Sequence, residues 1–146
     1  MRVPFLIGRL IFGGYFISSG INHFTQKKQI AEYAAAKHVP EPNIAVQASG
    51  AMLLLGGASI LLGIKPKLGT LAIVGLLAGV SPVMHDFWKE EEPKARMNEM
   101  INFTKNVALA GGAIALMGVE EPWPSSVPVL APKKNIFRRL RRDVAA

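Results

Sequence analysis

Apolar and polar positions in this chain are sorted into long blocks rather than mixed. Charges cluster at 27–43, 65–67, 86–99 and 133–143, and long apolar runs lie between them. A helix needs about 20 mostly apolar residues to cross a hydrocarbon core of about 30 Å. Four stretches meet that requirement: about Val3 to Phe24, Ile44 to Ile64, Leu68 to His85, and Ile101 to Val119. The second carries no charge. The first holds Arg9, the fourth holds Lys105 near its start, and the third ends in His85-Asp86. The pattern predicts an all-α membrane protein, a four-helix transmembrane bundle over residues 1–119. A soluble bundle fits less well, because apolar runs of this length argue for spans. The first stretch starts with Met1-Arg2, but no small-x-small cleavage site follows it. Asn22-His23-Phe24 is a poor cleavage context, so we read a retained helix.

Residues 120–146 form a second region. Pro122, Pro124, Pro128 and Pro132 exclude a continuous helix and predict an extended linker. Residues 133–142 then interleave six Lys or Arg with Ile136, Phe137 and Leu140. That composition suits a segment lying on anionic lipid, with Arg138, Arg139, Arg141 and Arg142 contacting headgroups or a partner. A solvated tail is the alternative. Nucleic acid is not expected as a partner, because no folded binding module accompanies the run.

Composition adds two constraints. The mean hydropathy is +0.28 and half the residues are hydrophobic, despite a net charge of +7. There is no cysteine, which excludes disulfides, thiolate metal sites and thiol relays. Lys and Arg in short loops mark the cytoplasmic side. Arg2, Lys65, Lys67 and the basic tail fall on one side of four alternating spans, which predicts both termini inside. The loops 25–43 and 87–100 then face outside.

Small residues allow close helix contact where lipid gives no hydrophobic drive. Gly75 and Gly79 form a GxxxG pair on the third span, Gly56-Gly57 and Gly111-Gly112 are doublets, and Gly8, Gly13, Gly14 and Gly20 punctuate the first. Pro82 predicts a bend in the third span.

Ionisable residues at membrane depth point to sites by default. Alternation brings Asn22, His23, Gln47, His85, Asp86, Asn102, Lys105 and Asn106 to one depth near the outer face. Asp86 shares a helical face with Pro82, Gly79 and Gly75, which predicts that it lies on the packed side of its helix. Lys105 lies beside the face formed by Glu99, Asn102 and Asn106. An Asp86–Lys105 ion pair would neutralise both charges. His85, Asp86, Lys105, Asn106 and His23 therefore form the candidate ligand site, with Gln47, Asn102 and Arg9 as further buried polar groups. Phe24, Phe87, Trp88 and Phe103 read as an aromatic belt or as walls of an apolar pocket. A ring-shaped, lipid-soluble ligand such as a quinone needs such walls and one or two donors. A metal is not expected, since the His and Asp spacing is nonspecific. Arg9 has no acid at its depth. Snorkelling to the interface, or pairing with a partner subunit or lipid phosphate, both remain open.

Several strings together resemble the DoxX family. Gly8-Arg9, then Gly14-Tyr15-Phe16-Ile17-Ser18-Ser19-Gly20 and His23-Phe24, resemble its first helix. His85-Asp86-Phe87-Trp88, Glu99, and the run from Phe103 to Gly112 resemble its third-to-fourth-helix signature. The resemblance covers about residues 3–119. It implies a four-helix protein of the bacterial cytoplasmic membrane, related to membrane subunits of thiosulfate:quinone oxidoreductase. It puts the family's polar signature on Arg9, His85, Asp86, Lys105 and Asn106. With no cysteine, haem motif or nucleotide fingerprint, the chain carries no electron alone, so a redox role needs a quinone or a partner subunit. Two expectations follow: a membrane subunit of a redox complex with a quinone site near the outer face, or a non-catalytic assembly subunit.

Overall fold

A computed structural model describes residues 2–127. Its element order is α1 (Arg2–Thr25), α2 (Lys27–Ala36), α3 (Pro42–Leu62), α4 (Pro66–Met84), a single 3-10 turn at Phe87–Lys89, and α5 (Pro93–Met117). Four of these helices, α1, α3, α4 and α5, are long and apolar enough to cross a membrane. The all-helical, four-span fold expected from the sequence is therefore present. Of the linker expected from 120 to 132, only residues 120–127 are described: they are not helical and they pack on the bundle, as set out below. The segment 133–142 lies outside the described residues.

Pro42, Pro66 and Pro93 each open a helix, where a missing N–H costs nothing and a fixed φ is preorganised. Glu92 caps α5, its carboxylate accepting from the Lys94 and Ala95 amides at 3.0 and 2.6 Å. This start lies well before Ile101, because the first two turns of α5 are polar and extend beyond the apolar run.

The helices pack through small residues. Arg9, Gly13, Phe16 and Gly20 form the buried stripe of α1. Val46, Gly50, Leu53, Gly57 and Ile60 form that of α3. The two stripes meet backbone to backbone: a Cβ added at Gly57 would lie 2.9 Å from the Gly13 oxygen, and one at Gly20 would lie 2.9 Å from the Gly50 oxygen. Gly56 of α3 packs likewise against Ile73 and Gly69 of α4. Gly112 brings α5 back beside the Phe12 ring of α1. Phe16, Leu53, Ile60, Ile73 and Leu77 fill the centre.

The expected packed face of α4 is reversed. Gly75 and Gly79 have open space around them, and the buried stripe is Gly69, Thr70, Ile73, Leu77 and Ser81. Asp86 is nevertheless buried. The helix ends at Met84, so the helical offsets that would put Asp86 on the outward face no longer apply to it.

At the end of the bundle where α1 begins, residues 120–127 fold back onto the helices. Trp123 is 2% exposed, joins the central core, and meets Phe5 edge to face at 5.4 Å. Its indole donates to the Val119 carbonyl at 3.2 Å. The Val127 amide donates to Leu62 at 3.0 Å, and Glu121 accepts from the Lys67 amide at 3.2 Å. Packing therefore continues past the expected boundary at 119, at least to 127. Pro122 and Pro124 prevent helix but not docking.

Candidate functional site

The polar groups of the opposite end are organised by α2, a ten-residue helix within what the sequence pattern presents as a loop. Ala31 and Ala34 are its buried residues, and they pack with Val46 of α3. Tyr33 and Lys37, four residues apart, are thereby carried to the end of α4.

Lys37 is the hub. Its ammonium donates to Asp86 Oδ1 at 2.6 Å and to Glu90 Oε1 at 2.8 Å. Lys89 lies 3.2 Å from Asp86 Oδ2. The Lys37 Nζ also lies 5.9 Å from the Tyr33 ring centroid. Burial pulls the Lys37 pKa down, but the hydrogen bonds to Asp86 and Glu90 outweigh it, and the net shift is upward. The ammonium is held charged.

A second chain of groups adjoins the first. Glu99 of α5 accepts from the Tyr33 hydroxyl at 2.5 Å through Oε1, and lies 2.8 Å from His85 Nδ1 through Oε2. The Tyr33 oxygen is also 2.9 Å from the Met84 carbonyl. With one proton to give, the phenol serves the carboxylate, the stronger acceptor. Burial, the hydrogen bond to Glu99 and the Glu99 charge all push the Tyr33 pKa up. Phe87, Trp88 and Phe103 form an edge-to-face triangle beside this cluster, with centroids 5.1 to 5.8 Å apart.

The structure thus ties together His85, Asp86 and Glu99, and adds Tyr33, Lys37 and Glu90. The expected Asp86–Lys105 pair does not form. Lys105 is exposed on α5 and donates to Asn102 Oδ1 at 2.9 Å, one turn back. The reason is that α2 brings a nearer cation to Asp86. Lys105 also lies six residues, about 9 Å, further along α5 than Glu99. Asn106 is buried on α5. His23 lies 2.8 Å from the Ser19 carbonyl of its own helix, and Gln47 is exposed and donates to Asn43 at 3.0 Å. Among the described residues, no group of three or more His, Cys, Asp or Glu could hold a metal. A shallow groove of about 540 Å³ lies along α2, bordered by Lys28, Glu32 and Asn43, and none of the expected ligand residues lines it.

The missed residues left a faint signal. Ala31 and Ala34 are three apart, and Tyr33 and Lys37 four apart, within a charged segment of helical length. Only the α4 terminus shows what they face.

Arg9 follows neither expectation. It is 4% exposed, and its guanidinium donates to the carbonyls of Pro124 at 2.8 Å and Ser125 at 3.1 Å. Its Nε has no partner among the described residues, and the Phe5 ring lies 5.9 Å away. The folded-back segment supplies what no acid in the span could.

Four membrane-length helices in one bundle, with a charged cap at one end, define a multi-pass membrane protein. The DoxX family model matches residues 5–86, more than half of the chain, and the chain belongs to the DoxX family. The match runs from α1 to the end of α4 and stops on Asp86, so α5 lies beyond it. Searches of curated proteins and of solved structures give no match.

Proposed function

We propose that this DoxX-family protein is a non-catalytic subunit that assembles with and stabilises a larger membrane complex. One observation carries the reading: the charged cap is closed on itself. Lys37, Asp86, Glu90, His85, Glu99 and Tyr33 each end on another group of the same chain. A network whose members are bonded to one another in this way rigidifies the bundle. The lock joins α2, the end of α4 and α5, which no single apolar stripe holds together.

A second reading has its own support. His85, Glu99 and Tyr33 form a hydrogen-bonded row of proton-bearing groups beside the Phe87, Trp88 and Phe103 rings. A quinone-binding subunit of a redox complex would use such a row for protons and such rings as walls. Lys105, Asn106 and His23 would then serve only after rearrangement.

Quinone titration of the purified protein separates the two. The architectural reading expects no saturable binding, and expects His85→Phe to lower the melting temperature. Saturable binding that His85→Phe abolishes at unchanged stability would overturn it. Identifying subunits that co-purify in mild detergent tests the shared premise of a complex.

The bacterial cytoplasmic membrane, with both termini inside, fits the basic residues of the α1 end. Single cysteines at Ala35 and Leu140 test this. Impermeant reagent added outside should reach position 35 alone.

A further inference from the structure

The polar groups of the cap find partners within the chain, and those of the neighbouring groove do not. The groove lies between α2 and the start of α3 and holds about 540 Å³. That volume falls within the roughly 300–1,000 Å³ usual for small-molecule sites. Lys27, Lys28, Glu32 and Asn43 border it, together with Ala31 and Pro42. Lys28 and Glu32 stand one helical turn apart, near enough to meet, yet they do not pair. Among the described residues, none of the four polar side chains makes a hydrogen bond or an ion pair, and Asn43 takes part only through its backbone carbonyl. Two cations, one carboxylate and one amide thus border a single opening with their bonding capacity unspent.

The depth of the groove narrows what it can hold. The first span ends at Thr25 and the next begins at Pro42, so the groove sits where two apolar helices leave the hydrocarbon layer. That is the level of lipid headgroups. Phe24 and Ile44 flank it and are both exposed. Phe24 precedes Lys27 by three residues, and Ile44 follows Asn43 directly.

We propose that the groove takes the headgroup of a phospholipid that carries both a phosphate and a primary ammonium, as phosphatidylethanolamine does. Lys27 and Lys28 donate to the phosphate, and Glu32 accepts from the ammonium. The Asn43 amide, a donor and an acceptor, serves the ester oxygens. Phe24 and Ile44 give the acyl chains an apolar surface to follow, which a water-soluble zwitterion would leave unused. A quaternary ammonium offers Glu32 no N–H, and a glycerol headgroup brings it no cation. An exposed charge pair of this kind is worth up to roughly five-fold in affinity, which sets the size of the preference.

Native mass spectrometry of the full chain in mild detergent tests this. The protein is offered equal amounts of phosphatidylethanolamine, phosphatidylcholine and phosphatidylglycerol with the same acyl chains. The ethanolamine lipid should be retained over each of the others by up to about five-fold. Glu32→Gln should erase that preference, and K27Q/K28Q should lower retention of the ethanolamine lipid. Both variants should keep the parent's melting temperature without lipid, because these side chains have no partners within the described residues. Equal retention of the three lipids by the parent would overturn the proposal, as would a preference that survives Glu32→Gln. A variant that lost its fold would also overturn it, by showing that the charges are structural. Displacement of the lipid by equimolar glycerophosphoethanolamine would overturn it too, and would assign the groove to a soluble zwitterion.

Discussion

The Lys37 ammonium lies 2.6 Å from the Asp86 carboxylate, joining a helix of the first connection to the terminus of α4. The two side chains are only 13% and 11% exposed, so water screens them weakly. Breaking such a pair from one side leaves a desolvated charge behind. Lys37→Met and Asp86→Asn should each cost roughly 2–4 kcal/mol, and the double variant should recover part of the loss. Denaturation of the four proteins in one detergent measures the coupling. Additive losses would show that the pair contributes nothing of its own.

Tyr33 and Lys37 both hold their protons more tightly in the folded protein, since both pKa values are raised. The stability they contribute is complete below their ordinary values, near pH 10, and is lost as pH rises beyond them. Phenolate absorbance of the native protein minus that of Tyr33→Phe should show Tyr33 still neutral at pH 10.5. The Tyr33→Phe protein should also lose less stability between pH 9 and 11. Ordinary titration of Tyr33 would contradict the hydrogen bond to Glu99.

Packed and unpacked glycines should respond differently. Gly57→Ala puts a methyl 2.9 Å from the Gly13 oxygen, so α1 and α3 must separate, at about 1–3 kcal/mol. Gly75→Ala and Gly79→Ala meet open space and should change the melting temperature little. A strong effect at Gly79 in the isolated protein would mean that α4 is turned otherwise.

Lys105→Met should change the stability of the isolated protein by no more than about 0.5 kcal/mol, because Lys105 is exposed and bonded only to Asn102. A loss comparable with that of Lys37→Met would restore the Asp86–Lys105 pairing expected from helix alternation.

Trp123→Ala should cost about 3–5 kcal/mol, as expected for a large aromatic at 2% exposure. Residues 120–127 would be a passive linker if the variant melted like the parent.

The spans were legible because membrane thickness imposes a length that an apolar run either meets or does not. Their polar extensions were not. Glu92-Pro93 reads as a cap and a first helical residue, yet the charge that follows hides the first turns of α5. The candidate site was half legible. His85, Asp86 and Glu99 stand at span ends, where charge next to apolar sequence is conspicuous. Tyr33 and Lys37 sit in a mixed segment whose helix forms by packing alanines on α3, a tertiary effect. Asp86 is buried as its offsets suggest but for another reason: the helix stops two residues before it, at Met84, and the turn that follows carries it to Lys37. The Arg9 acceptors were beyond reach, since backbone carbonyls more than 100 residues away leave no mark in a periodicity.

That separation in sequence also sets an order of events at the ribosome. The carbonyls that cap Arg9 are made 115 and 116 residues after it. At bacterial or slower rates of synthesis the gap is on the order of ten seconds. Throughout that time the first helix carries a guanidinium without the acceptors it has in the finished fold. A chain released before Pro124 keeps that defect for good. Synthesis of residues 124 and 125 is thereby recorded in α1, where a chain that lacks them differs from one that has them by a bare cation.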